Sequence, residues 1–431
     1  MDGSSINHPT PLAIHGLRSI RTASGRDTPP TPKIPVTDDR HGISRRLALL
    51  FSVTSGLAVA NVYYAQPLLD TIADEFAITH AAVGLVITFT QIGYGLGLLF
   101  VVPLGDLLDR RRLIIAQSLL SALALLVVAF APTSEVLLAG MAALGLLSVV
   151  AQVLVAYAAI LARPTERGRI VGIVTTGIII GILLARTVSG TLSDVLGWRS
   201  VYVVSAAAGV VVAAILFKAL PYQAVPSARL PYRTLILSVF TLFIEEPVLR
   251  IRAVIALLIF AAVTTLWTPM VLPLSAPPFL LSHTEVGLFG LVGAMGALGA
   301  ASAGRLADRG HAQRVTGIAL AIMLVSWLPI SLLAHSLWGL VIGMLTIDFA
   351  LQSVHVANQS LIYRIRPEAQ SRLAGGYMIA YSIGCSIGSI ASTLIYAYAG
   401  WSGVCILGAS ISTIAFAFWA LTRHLTPELP S

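Results

Sequence analysis

The sequence predicts an all-α membrane protein: twelve transmembrane helices arranged as two pseudo-symmetric six-helix bundles. Three observations predict it. Of 431 residues, 57% are hydrophobic and only 11% are Asp, Glu, Lys or Arg, against about 25% charged in an ordinary soluble domain, so a water-soluble globule of this composition has too few charges to cover its exterior. Apolar runs long enough to cross a hydrocarbon core, about 20 residues each, recur from residue 47 to residue 422. Finally, landmark loops of the first half return in the same order in the second.

Residues 1–43 are rich in Pro, Ser and Thr with scattered Arg and no apolar period, the composition of a disordered tail. Spans are expected over 47–69, 81–104, 113–132, 136–161, 170–192 and 200–220, within a first bundle covering 44–220. The stretch 221–250 carries Tyr222, Tyr232, Arg229 and Arg233, then Leu235, Val239, Leu242 and Phe243 at helical spacing. That pattern is an amphipathic linker helix on the membrane face. A second bundle, 251–423, holds spans at 251–275, 285–304, 314–334, 337–362, 374–398 and 402–422, before a short tail at 424–431. Ser44-Arg45-Arg46-Leu47 before the first span resembles a twin-arginine export signal. With eleven spans to follow, the two arginines read instead as an anchor.

Of the 27 Lys and Arg residues, 25 fall in the N-terminal tail, the loops after spans two, four, eight and ten, the linker and the C-terminal tail. The intervening loops hold Asp70, Asp74, Glu75, Glu135, Asp194 and Glu285. The positive-inside rule therefore predicts both termini in the cytoplasm. It also explains the net charge of +8 without a nucleic-acid partner. Cys385 and Cys405 lie in apolar stretches, which excludes a disulfide framework and a thiolate metal site. No cofactor or metal is implied.

The loop Gly105-Asp106-Leu107-Leu108-Asp109-Arg110 returns as Gly304-Arg305-Leu306-Ala307-Asp308-Arg309, 199 residues later. Arg163-Pro164 returns as Arg366-Pro367, and Gly197-Trp198 as Gly400-Trp401, both at an offset of 203. Repeats in fixed order indicate a duplicated six-helix unit. The loop Gly304–Gly310 closely resembles the Gly-x-Leu-Ala-Asp-Arg-x-Gly signature of the major facilitator superfamily, and the resemblance spans residues 45–425. The runs Asn61–Leu69 and Gly181–Gly190 and the Gly-Trp-Arg at 197–199 further resemble its bacterial drug- and sugar-efflux-like branch. Two departures stand out: span four lacks an embedded arginine, and the span-five motif reads Gly181-Ile182 and Ala185-Arg186. The resemblance implies two bundles that rock about a midplane site. It also implies cytoplasmic gating latches at Asp109, Arg110, Asp308 and Arg309.

A charge inside a span costs about 2.5–3.5 kcal/mol at the helix centre and defaults to a functional role. Only Arg186 in span five and Asp348 in span ten qualify, one from each half and at depths compatible with pairing. Gln352, His355 and Gln359 follow Asp348 on one helix face, and Asn61, Tyr64, Gln66, Thr88 and Gln91 add polar groups from spans one and two. Paired with Arg186, Asp348 releases its proton; unpaired in an apolar surround, it takes one up. Asp348, Arg186 and His355 are thus expected to couple protons to transport, with His355 as relay. Binding of substrate charge and a fixed structural ion pair are the alternatives, and a hydrogen-bonded bundle histidine is the alternative for His355. Asn61, Tyr64, Gln66, Gln91, Trp267, Gln352 and Gln359 are the substrate-contact candidates. Pro67 in span one and Pro269 and Pro273 in span seven predict interrupted helices at matching positions, the best sequence pointer to a transport site. An aromatic belt at the membrane interface is the alternative for Tyr63, Tyr64 and Trp267.

The expected function is secondary active transport of a small organic molecule, as proton-coupled efflux by a monomer in the lipid bilayer. Uptake by symport or uniport is the alternative. An enzyme would need a nucleophile and base or a metal cluster at depth, and a channel would not need paired latch loops.

Overall fold

The computed structural model describes residues 43–426 apart from 164, 221–230 and 367–368, together with all side chains there except those of Asp106, Met295, Ala297, Asp308 and Ser371. The expected N-terminal tail, except for residue 43, thus lies outside the described residues, as do the first part of the linker and the last five residues. The first half contains α1 (Arg45–Glu75), α2 (Leu85–Gly105), α3 (Arg110–Ala129), α4 (Ser134–Leu161), α5 (Arg167–Leu196) and α6 (Trp198–Ala219). The connecting helix α7 (Tyr232–Glu245) follows. The second half contains α8 (Pro247–Ser275), α9 (His283–Ala307), α10 (Ala312–Ala334) and α11 (Leu337–Tyr363). A last continuous stretch, Arg372–Leu425, is 54 residues long, too long for one crossing. Gly400 divides it, with φ 59° and ψ −157° inside an otherwise helical run. Helices α12 (370–399) and α13 (401–422) complete twelve membrane helices.

The repeated Gly-Trp pair now has a physical reason. Gly197 and Gly400 both take positive φ, 82° and 59°, a conformation that only glycine adopts without strain. Each lets the chain reverse tightly, and the tryptophan that follows opens the next helix. Helix starts also follow local chemistry. Ser44 caps α1 through a hydrogen bond from the Leu47 N–H at 3.2 Å, and Asp109 caps α3 by accepting from Arg111 N–H at 2.9 Å. Ser282 and Glu285 form a capping box at the start of α9.

Packing repeats between the halves: α1 on α5, α2 on α4 and α3 on α6 are matched by α8 on α12, α9 on α11 and α10 on α13. Glycine makes the closest crossings possible. A Cβ on Gly145 would stand 1.9 Å from the Thr90 carbonyl oxygen, and one on Gly93 would stand 1.9 Å from that of Ala142, so α2 and α4 touch backbone to backbone. Large apolar side chains such as Leu123, Val211, Ile318 and Leu328 face outward, as a lipid-facing surface requires.

The linker is helical as expected over 232–245. The helix after it begins at Pro247, and Arg250 and Arg252 belong to it. Arg252 is fully buried, donating to Asn358 Oδ1 at 3.3 Å and Thr426 Oγ1 at 2.7 Å. Helix α7 is tethered to both halves: Tyr232 donates to the Phe100 carbonyl at 2.6 Å, and Arg366 reaches Glu245 at 2.9 Å and Glu246 at 2.7 Å. Its Leu237, Phe240 and Ile244 remain exposed.

Candidate functional site

The two interrupted helices build the site. Helix α1 breaks after Tyr63 into a short 3-10 turn, Gln66–Leu68, with Pro67 at its start. Helix α8 breaks after Trp267 and resumes at Val271, with Pro269 in the gap and Pro273 in the segment beyond. The last regular residue before one break and the first turn of the other thus carry Trp267 and Gln66 into one central cavity of about 90 Å³, room for a few waters or a small solute.

Arg186 of α5 and Asp348 of α11 line that cavity, both buried. Their direct pairing is corrected by the geometry. Among the described residues no ion pair joins them, because Trp267 lies between. The guanidinium carbon sits 3.8 Å from the Trp267 ring centre and 5.1 Å from that of Tyr63, a cation–π contact. Arg186 Nε donates to Gln66 Oε1 at 2.6 Å. On the other side, Trp267 Nε1–H points at Asp348 Oδ1 at 3.4 Å, a long bond. One indole therefore holds the cation on its face and the anion at its edge. Glycines of α9 let its backbone run close beneath: a Cβ on Gly287 would stand 2.4 Å from the Arg186 carbonyl oxygen, and one on Gly293 would stand 3.3 Å from Asp348 Oδ2.

Of the polar residues expected at the site, Gln66, Gln91, Trp267 and Gln352 line the cavity. Asn61 and Tyr64 do not. Asn61 accepts from Ser205 at 2.7 Å inside the first half, and Tyr64 packs edge-on against Tyr202. Both sit on the face of α1 turned toward α6, away from Gln66. Thr88 donates across the halves to the Ser386 carbonyl at 3.1 Å. His355, two turns along α11 from Asp348, receives no part of the cavity wall; its Nδ1 meets Tyr377 OH at 3.0 Å and its ring packs on Phe260. Gln359 lies a further turn away, outside the cavity lining. Among the latch residues, Asp109 is engaged in capping α3 and lies 3.8 Å from Arg112. Arg110 and Arg309 flank the two loops, and the side chain of Asp308 lies outside the described residues.

Sequence reasoning did not assign Tyr381, Phe260 and Cys385 to the cavity wall. Tyr381 OH meets Tyr63 OH at 3.0 Å across the halves and its ring packs edge-on against Phe260 with 4.2 Å between centres. Also unforeseen is a cluster where α1, α5 and α9 meet beyond the cavity. His283, the first residue of α9, has Nε2 3.1 Å from Asp70 Oδ1 and 2.9 Å from Thr71 Oγ1, and Nδ1 2.9 Å from Asp194 Oδ1. Asp194 also accepts the backbone N–H of His283 at 3.2 Å and of Thr284 at 2.7 Å, so a carboxylate from one half caps a helix of the other. Close by, Thr187 donates to the Gly287 carbonyl at 3.0 Å, and a Cβ on Gly190 would stand 2.0 Å from that of His283. Helices α5 and α9 are thus pressed together beyond the cavity.

A twelve-helix body with matched interruptions around a central polar cavity is the architecture of a transporter, and the family model described as Major Facilitator Superfamily matches residues 51–366 and again 253–431. The chain belongs to the major facilitator superfamily. It is therefore a multi-pass membrane transporter of a small solute and not an enzyme. Among curated relatives, the putative uncharacterized transporter YgaY of Escherichia coli K12 is 45% identical over 89% of this chain and 97% of its own. The probable transporter SCO4007 of Streptomyces coelicolor is 30% identical over 90% of each. The fold matches the crystal structure of a bacterial homologue of the human lysosomal transporter Spinster with a TM-score of 0.71, at 15% identity over 88% of this chain and 96% of the other. The two matched segments overlap over residues 253–366.

Proposed function

We propose that the protein is a proton-coupled exporter of a small organic solute, of the drug- and sugar-efflux-like kind, operating by alternating access. One observation carries this reading: Arg186 and Asp348, one from each half, share a single cavity on two sides of Trp267. Bundles at 44–220 and 251–423 rock about that cavity. With the halves together, Asp348 stays ionised beside the Trp267 N–H and within the field of Arg186. When they separate, a lone carboxylate in an apolar surround favours its neutral form and takes up a proton. His355 passes that proton toward the terminal end, about 10 Å along α11. The Asp109–Arg110 and Asp308–Arg309 loops latch the opposite state. The protein acts as a monomer in a bacterial inner membrane with both termini cytoplasmic, the orientation that its basic loops favour.

The test is proton movement in energised everted vesicles, recorded as drugs, sugars, amino acids and organic acids are added to wild type and Asp348→Asn. The expected result is a compound that dissipates ΔpH in wild type alone. Equal transport by both proteins, or transport without proton movement, refutes coupling through Asp348 and leaves facilitated transport.

A further inference from the structure

The cavity holds one positive and one negative side chain, and neither neutralises the other. Trp267 takes the face of the Arg186 guanidinium and keeps it off Asp348. A cation–π contact uses the flat face and leaves the in-plane N–H groups free. Only Nε is engaged, by Gln66; among the described residues no acceptor reaches either Nη, and no donor reaches Asp348 Oδ2. A third unfilled group points the same way. Gln91 Oε1 is buried without a donor on the same wall, and buried polar atoms of native proteins are normally paired.

We infer that the cavity selects a zwitterion of the amino-acid type, its carboxylate on the Nη groups of Arg186 and its ammonium on Asp348 Oδ2 and Gln91 Oε1, with an apolar side group against Phe260, Val263 and Leu351. This rests on the reading of the cavity as the substrate site, and not on proton coupling. A solute with one charge satisfies one pole and meets repulsion from the other, in a surround where screening is weak. A solute with both poles leaves no charge in the cavity unpaired. The carboxylate matches a guanidinium edge, which binds it through two parallel N–H donors.

The experiment is equilibrium binding to the purified full-length protein in detergent, at one pH and without a gradient. Radiolabelled leucine and phenylalanine are the probes. Isopentylamine, 4-methylpentanoate, phenethylamine and 3-phenylpropanoate, which each lack one pole, are the competitors. At least one amino acid should bind, and its two single-pole analogues should compete at least ten-fold more weakly. Selectivity should move toward the amine in Arg186→Gln and toward the acid in Asp348→Asn. Because each is a ratio within one protein, the amount that folds does not affect it. An amine or an acid that competes as well as its parent amino acid in wild type overturns the inference, as does the failure of both amino acids to bind. Binding that passes this test while vesicle proton movement fails would leave the zwitterion site standing and remove only the exchange scheme.

Discussion

Replacing His283 with Gln should loosen the closed end of the transporter by an amount that the geometry bounds. The imidazole sits between Asp70 and Asp194 at 3.1 and 2.9 Å, with side chains about a fifth to a quarter exposed. Buried hydrogen bonds to charged groups contribute about 1.5–3 kcal/mol, and fully exposed ion pairs about 0.2–1 kcal/mol. Half-buried contacts fall between, so losing both costs about 1–3 kcal/mol, a shift of about 5- to 150-fold between closed and open states. Cys385 in the cavity wall reads that shift. With Cys405 replaced by Ala, an impermeant thiol reagent added outside right-side-out cells should label Cys385 faster in His283→Gln by that factor. Only the imidazolium donates from both nitrogens, so wild type should approach the variant as pH rises through the ring's titration. A labelling ratio below about two at every pH would refute the argument that this cluster holds the halves together.

Three further outcomes follow from the packing and the site. Gly145→Ala should lower the thermal midpoint in detergent, because its Cβ would collide with the Thr90 carbonyl and overpacking costs typically about 1–3 kcal/mol; Gly168→Ala, which meets nothing within 4 Å, should leave it in place. Trp267→Phe keeps a ring over Arg186 but removes the donor to Asp348. It should alter the pH profile of transport while retaining substrate binding, whereas Trp267→Leu should weaken both, as initial rates across pH would report. Reporter fusions at either terminus should be active only in the cytoplasmic form, and a periplasmic signal would reverse the orientation.

The scaffold was legible because the bilayer writes it into composition. Long apolar runs, basic loops and the Gly-Trp turns gave twelve helices and their pairing into two halves. Arg186 and Asp348 were legible for the same reason, since a charge at depth stands out against an apolar run. What lies across a cavity was not. Asn61, Tyr64 and Gln66 share a helix, and their spacing relates them to each other without saying which face meets the neighbouring half. The proline break then turns Gln66 away from the other two. Trp267 was visible as an aromatic beside a break, but not as the wall between two charges. His283, Tyr381 and Cys385 find partners or cavity positions far away in the chain, with no local pattern to announce them. Helix α8 starts four residues before the apolar run does, and no sequence pattern marks Arg252 as a buried cation.

The duplication has a consequence in the matched positions of the two halves. At the 203-residue offset, Arg186 corresponds to Ser389 and Asp348 to Gly145. Neither counterpart is charged, and both lie at close crossings: Ser389 donates to the Gly84 carbonyl at 2.8 Å, and Gly145 rests on Thr90. A gene that copies a folding unit obtains two frameworks but needs only one set of reactive groups. Where one copy keeps a small neutral residue at its crossing, the other is free to acquire a charge. The cavity is therefore lopsided inside a nearly two-fold body, and a solute entering it meets one preferred way round.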